Sequence, residues 1–200
     1  MCRAGAWDIG HIVTSGPRII LIHGNGGSTA GDGWLPFVER DLTALGLEVV
    51  NHTFPDNVRA RASEWLPYLE TLDAGPSTVL IGHSSGAVAA MRFAETHHIL
   101  GSVLVAVCHT DLGDADERAS GYYRDPWQWD AIRRHQQWTG IFHSTDDPLI
   151  PVSEARFVAK QLGGSYFEHD DRGHFADRAP FPELVRFVRR KLGLAAVGAS

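Results

Sequence analysis

The sequence predicts an α/β fold in which a mainly parallel six-stranded sheet is covered by helices on both faces, a three-layer α/β/α sandwich. Three observations lead there. Short apolar runs, β-branched or aromatic in bias, alternate with longer segments of helical spacing, as strands alternate with crossover helices. The first four runs are nearly unbroken by polar residues, which suits strands covered on both sides. No internal repeat, low-complexity tract or linker divides the 200 residues, a length that one domain accommodates.

The elements follow in order. An irregular extension is expected over residues 1–17, a single domain over 18–192 and a flexible tail over 193–200. "RIILIH" from Arg18 is the first strand, and Trp34 to Leu45 carries a helical stripe at 34, 35, 37, 38, 42 and 45. "LEVVNH" from Leu47 precedes a helix from Ala60 to Leu72, with Trp65, Leu66, Leu69 and Leu72 on one side. "TVLIG" from Thr78 runs towards a helix from Ala87 to His97. "SVLVAVC" from Ser102 leads into the one long irregular stretch, His109 to Arg124, and loops of that length are usually functional. Asp125-Pro126 reads as the N-cap and first-turn pair of a helix through "WQWDAIRRHQQW". "TGIFHS" from Thr139, a helix from Val152 to Leu162 stopped by Gly163-Gly164, "SYFEH" from Ser165 and a helix from Phe181 to Leu192 complete the chain.

Composition narrows the function. Hydrophobic residues make up 44% and charged residues 21%, the profile of an ordinary folded domain. With a net charge of −6 and no basic run longer than Arg189-Arg190-Lys191, neither a nucleic-acid surface nor an anionic-membrane surface is expected. Of the two cysteines, Cys2 and Cys108, the second reads as a buried thiol, and no disulfide framework is implied. The first sixteen residues lack the apolar stretch of a signal peptide, so a cytoplasmic location is expected, for a monomer or weak homodimer.

Chemistry concentrates at strand ends. Gly82-His83-Ser84-Ser85-Gly86 matches the Gly-x-Ser-x-Gly nucleophile elbow with Ser84 central. The elbow needs a strand before it and a helix after it, with flanking glycines where side chains would collide. Both elements are predicted, and the helix N-terminus directs N–H groups at a developing oxyanion. A serine nucleophile needs a base, and the base an orienting acid, in the chain order Ser, acid, His. "HSTDDPLIP" places Asp146 and Asp147 after the fifth strand, and "DDRGHF" places His174 after the sixth. The Asp-Pro-Leu-Ile-Pro pattern favours Asp147, with Asp146 a loop-bonding carboxylate and Asp111 and Asp114 less favoured alternatives.

"HGNGGS" at the end of the first strand has neither Gly-x-Gly-x-x-Gly spacing nor a Walker lysine. It reads as the other half of an oxyanion hole, an N–H of Asn25 or its neighbour Gly26 joining that of Ser85. Eleven histidines invite a metal, yet no metal-ligand spacing occurs, so neither metal nor cofactor is expected.

The peptides "HGNGG", "IGHSSGAVAAMRFAETH", "DLGDADERASGYYRDPWQW", "STDDPLIP" and "GHF" resemble the small serine hydrolases grouped with retinoblastoma-binding protein 9, in the α/β-hydrolase superfamily. The resemblance spans about Ile19 to Leu192. It implies a shortened α/β-hydrolase sheet without a large cap domain, Ser84 as nucleophile, Asp147 as acid and His174 as base. The family's Leu-x-Cys-x-Glu peptide is absent, its region reading "ETLDAGPST", so binding to the retinoblastoma protein is not carried over. Ser120 to Trp138 stands where larger hydrolases insert a lid. Its Tyr122, Tyr123, Trp127 and Trp129 either line a substrate pocket, with Gly26 and His83, or pack the short helix onto the sheet.

The expectation is thus a serine hydrolase cleaving small carboxylic ester or amide bonds through an acyl-enzyme. Two rivals stand beside it: a peptidase or aminopeptidase acting on short peptides or aminoacyl amides, and a non-catalytic binding module on the same scaffold.

Overall fold

The computed structural model describes residues 16–195. Most of the extension expected over 1–17, with Cys2, and the last five residues of the tail lie outside the described residues. Six strands form one sheet, β1 (Arg18–Ile22), β2 (Glu48–Asn51), β3 (Thr78–His83), β4 (Gly101–Val105), β5 (Trp138–Ser144) and β6 (Ser165–His169), in the order β2-β1-β3-β4-β5-β6. Every pairing is parallel. Seven helices accompany them: α1 (Leu35–Thr43), α2 (Ala62–Thr71), α3 (Ser85–Ala94), α4 (Ala115–Ser120), α5 (Trp129–Arg134), α6 (Val152–Leu162) and α7 (Pro182–Lys191).

The period-2 alternation of each strand divides the core. Ile19, Leu21, Val79, Ile81, Val103, Val105 and Phe142 face one layer, where Leu35, Val38 and Leu42 of α1 meet Leu184, Phe187 and Val188 of α7. Ile20, Ile22, Leu80, Leu104 and Ile141 face the other, built from α2, α3, α5 and α6 through Trp65, Leu69, Ile132, Ala155 and Val158. Both faces being buried is why these strands read as continuous apolar runs. Helix α3 lies innermost, every residue from Ser85 to Ala94 buried, and its first two turns, Ser85 to Ala90, carry only small side chains where the helix lies closest to the strands.

The bounds of α1, α2, α3 and α7 shift by one to three residues from expectation, and three further departures have a physical cause. Asp125-Pro126 does not open a helix, because α5 begins at Trp129. The carbonyls of Tyr122, Asp125 and Pro126 instead accept from the buried Arg92 guanidinium, at 2.7, 2.6 and 3.4 Å. That cation also lies 3.7 Å from the centroid of the Trp127 ring. A buried cation needs acceptors, and here it takes them from the Glu95 carboxylate, at 2.8 and 3.0 Å, and from the backbone of 122–126. The stretch 109–124 is not wholly irregular: Asp114 caps α4, its carboxylate accepting from the N–H groups of Asp116 and Glu117. The fourth strand ends at Val105, where Ala106 turns to φ 50, although Ala106 to Cys108 remain buried.

Gly82 and Gly86 are fixed by close approach. A Cβ on Gly82 would lie 2.3 Å from the Gly86 backbone, and one on Gly86 would lie 2.3 Å from the Ile22 carbonyl oxygen and 2.5 Å from that of His23. Both contacts are to backbone, which cannot swing aside. Gly86→Ala should therefore cost about 3 kcal/mol or more, lowering the melting temperature by roughly 10 °C. Gly16→Ala, whose added carbon meets nothing within 4 Å among the described residues, should leave it unchanged. Thermal unfolding of the two variants checks this.

Candidate active site

A parallel sheet delivers all its carboxyl ends to one edge, where α/β proteins bind ligands. Ser84 follows β3, Asn25 follows β1, Asp147 follows β5 and His174 follows β6. Strand order places β1 and β4 on either side of β3, so the glycine loop after β1 is a direct neighbour of Ser84. A Cβ on Gly24 would come within 3.4 Å of the Ser84 Cβ.

Ser84 has φ 53 and ψ −120, a conformation costing a residue with a side chain on the order of 1–3 kcal/mol. Its backbone is held from both directions: its N–H donates to the Val105 carbonyl at 2.8 Å, and its carbonyl accepts from Ala87 and Val88 at 2.9 and 3.2 Å. The strain turns the strand sharply into α3. Ser85 becomes the first residue of that helix, and an N–H there has no partner within the helix.

Asp147 and His174 meet directly, His174 Nδ1 lying 2.9 Å from Asp147 Oδ2. The Asp147 side chain is fully buried and that of His174 is 13% exposed. Burial disfavours charge on Asp147, but the His174 ring and the N–H groups of Ile150 and Leu149 outweigh it and hold the carboxyl below its usual range. An ionised carboxylate only accepts, so the proton between them sits on Nδ1, and Nε2 of a neutral His174 is left to receive another. Asp146, two residues after Ser144, accepts from the Ser144 hydroxyl and the Gly173 N–H at 2.5 and 2.9 Å. It thus ties the His174 loop to the end of β5. Asp111 pairs with Arg118, and Asp114 caps α4, so neither meets His174.

One cavity of about 610 Å³ gathers Asn25, Gly26, Ser84, Ser85 and His174. The remaining wall was not foreseen: Val58, Leu112, Leu149 and Ile150 form an apolar part, Asp114, Asp116 and Glu117 an acidic one, and Cys108 closes the floor. Val58 and Leu149 are 64% and 63% exposed, which marks an open rim. Leu149 and Ile150 come to the cavity because they follow the acid in "DDPLIP", a signal readable in hindsight; nothing local pointed to Val58. Burial pushes the Cys108 thiol up to about 12, so it is not a competing thiolate.

Asn25 and Gly26 differ in what their N–H groups meet. The Gly26 N–H donates to the Val58 carbonyl at 3.0 Å, and the Gly27 N–H to that of Asn57 at 3.0 Å. The Asn25 N–H has no acceptor among the described residues. Gly26 therefore lines the cavity with its donor already occupied.

Four residues expected against the substrate lie elsewhere. The His83 ring does not line the cavity; it packs against Trp34 and lies 5.0 Å from the His174 ring, centroid to centroid, and its Nε2 donates to the His174 carbonyl at 2.7 Å. Burial and the neighbouring His174 lower its pKa to about 4, so it is a neutral strut under the His174 loop. Tyr122 is 1% exposed within the core. Trp127 packs on Arg92, stacks on Trp129 and donates its indole N–H to the His109 carbonyl at 2.7 Å. These rings pack against the core cluster that α5 shares with α3 and α6. Tyr123 stands just behind the wall, its hydroxyl 3.1 Å from Cys108 Sγ and 3.4 Å from Glu117 Oε2. Among the described residues no cluster of three or more His, Cys, Asp or Glu is placed to hold a metal ion, and no helix is long and apolar enough to cross a membrane.

A family model described as Serine hydrolase matches residues 19–188. Serine hydrolase RBBP9 from Rattus norvegicus is 42% identical over 183 residues, spanning 90% of this chain and 98% of that protein. The crystal structure of the ydeN gene product from B. subtilis superposes with a TM-score of 0.81 at 21% identity, covering 88% of this chain and 99% of that one. Est1E from Butyrivibrio proteoclasticus reaches 0.69 at 16% identity, with 89% of each chain covered. The two structures show a shared fold; the family rests on the sequence matches. This chain belongs to the serine hydrolase family, on an α/β-hydrolase fold without a cap domain.

Proposed function

We propose that the protein hydrolyses small carboxylic esters or amides through an acyl-enzyme on Ser84. The observation that carries this reading is the strained Ser84 turn opening onto the same cavity as the His174–Asp147 pair. Ser84 Oγ attacks the carbonyl carbon while His174 Nε2 takes its proton, and Asp147 stabilises the imidazolium so formed. The carbonyl oxygen gains the charge and is met by the N–H groups of Ser85 and Asn25. His174 then returns the proton to the departing alcohol or amine. Water, deprotonated by the same ring, releases the acid and restores the serine, so the cycle calls for no cofactor.

A second reading within this chemistry is favoured by the acidic wall. Asp114 and Asp116 stand at the cavity beside apolar Leu112, a pairing that suits an acyl group carrying a protonated amine, as in aminoacyl amides or short peptides. A panel of p-nitrophenyl esters beside aminoacyl p-nitroanilides separates the two by kcat/KM.

Ser84→Ala should abolish turnover and labelling by a fluorophosphonate, while Ser85→Ala keeps a measurable fraction, because alanine retains the N–H. The opposite pattern would place the nucleophile at Ser85, and an unlabelled wild type would favour a binding module. Asp147→Asn should lower kcat on the order of ten-thousandfold, since an amide cannot enforce the His174 tautomer. Asp146→Asn should cost less than about tenfold, because its remaining oxygen still accepts from Gly173. Equal losses in the two variants, measured as kcat on one ester, would remove Asp147 as the acid.

A further inference from the structure

The loop that carries the proposed oxyanion donor is built from Gly24-Asn25-Gly26-Gly27, with φ +70 and +88 at the last two. So many glycines leave a chain without intrinsic stiffness, yet an oxyanion donor must be placed to within a fraction of an ångström. Something outside the loop has to fix it. Two backbone bonds hold Gly26 and Gly27 to Val58 and Asn57, and the Asn57 amide donates to the Ser28 carbonyl at 2.9 Å. These pin the far side of the turn. On the near side the Gly24 carbonyl accepts from His23 Nδ1 at 2.7 Å and the Asn25 carbonyl from the Ser28 hydroxyl and N–H at 2.8 and 3.3 Å. The Asn25 side chain adds the one tether to a distant element, donating to Glu117 Oε1 at 2.7 Å across 92 residues of sequence.

Glu117 is well placed to serve as an anchor. It sits in the first turn of α4, its N–H bound by the Asp114 cap at 2.9 Å, so its backbone is fixed. The second carboxylate oxygen takes a longer, 3.4 Å bond from the Tyr123 hydroxyl, and that hydroxyl is in turn 3.1 Å from Cys108 in the buried segment that follows β4. This buried segment is thereby connected to the pliant loop through Cys108, Tyr123, Glu117 and Asn25. Burial raises the Glu117 pKa above the ordinary carboxyl value, the mark of an acid kept in a place that opposes its charge.

We propose that Glu117 is a positioning residue: by accepting from the Asn25 side chain it fixes the turn that holds the Asn25 N–H towards the carbonyl oxygen of the substrate. The proposal rests on the Ser84 acyl-enzyme reading. It assigns to α4 a part in transition-state stabilisation without contact between Glu117 and the reacting atoms. The Asn25 side chain matters only through where it places its own backbone.

The test uses p-nitrophenyl acetate, a neutral ester that offers the acidic wall no cation to bind, and phenylboronic acid as a tetrahedral analogue. Glu117→Ala should lower kcat on the order of tenfold to hundredfold, less than the 10²–10³ of deleting a donor outright. KM should change less than about threefold, and boronic acid inhibition should weaken in step with kcat, as for an interaction made only in the transition state. Glu117→Gln, whose amide oxygen still accepts from Asn25, should recover most of the loss. Asn25→Ala keeps the N–H but loses the tether, so it should fall as far as Glu117→Ala, and the double variant no further. Asn25→Ala also stands in should Glu117→Ala fail to fold. Unchanged kcat in Glu117→Ala, additive losses in the double variant, or a rise in KM alone would overturn the proposal. So would a Gln variant as impaired as Ala, which would point to the charge instead of the acceptor. A fully active Ser84→Ala would instead remove the reading beneath it.

Discussion

The backbone of Ser84 is the constraint on which the rest of this structure depends. A residue with a side chain is held at φ 53 and ψ −120 between two glycines that have no room for a Cβ. The Ile22 and His23 carbonyls press against Gly86 from β1, and the Val105 carbonyl holds the Ser84 N–H from β4. The turn is therefore a product of the sheet: three neighbouring strands must be in register before it can form. The same closeness of β1 brings the Asn25 loop beside the serine. Strain, glycine spacing and the nearness of the Asn25 loop are consequences of one packing event.

Around that turn the histidines divide by surroundings. His83 is buried and neutral, donating to the backbone of His174. His23 accepts from the Phe54 N–H at 2.8 Å, and burial lowers its pKa. His143 lies under the acid loop with its Nε2 on the Ile150 carbonyl at 3.0 Å, and burial lowers it also. Each acts as a rigid hydrogen-bonding spacer at a strand end. His174 faces an ionised carboxylate on one side and the cavity on the other. His143 also lies 3.9 Å from the Asp147 carboxylate but is fully buried, so what sets His174 apart is that its ring reaches the cavity.

Much of this was legible in the sequence because it follows from local pattern. The six strands appear as apolar runs, since a sheet covered on both faces tolerates few polar residues, and helix α6 with its Gly163 stop matches expectation from Val152 to Leu162. The Ser84, Asp147 and His174 positions follow from strand ends and chain order. What was not legible depends on distant partners. Asp125-Pro126 carries a local helix-start signal, but Arg92, some thirty residues earlier, takes those carbonyls. Trp127 and Tyr122 looked like pocket aromatics, and nothing local reveals that a buried guanidinium and the core claim them. Glu117 reads as one acid among several in "DADERAS", and its bond to Asn25 exists only once the fold has closed.

The central claim is that Ser84 Oγ becomes the acyl carrier. The most direct measurement is tandem mass spectrometry of the protein quenched in acid during turnover of a slowly deacylated p-nitrophenyl ester. The account predicts one acyl group per chain, fragmenting to Ser84, and none in Asp147→Asn quenched at the same early time. An acyl group on Ser85, Cys108 or His174, or steady turnover with no acyl-protein at any time, would contradict it.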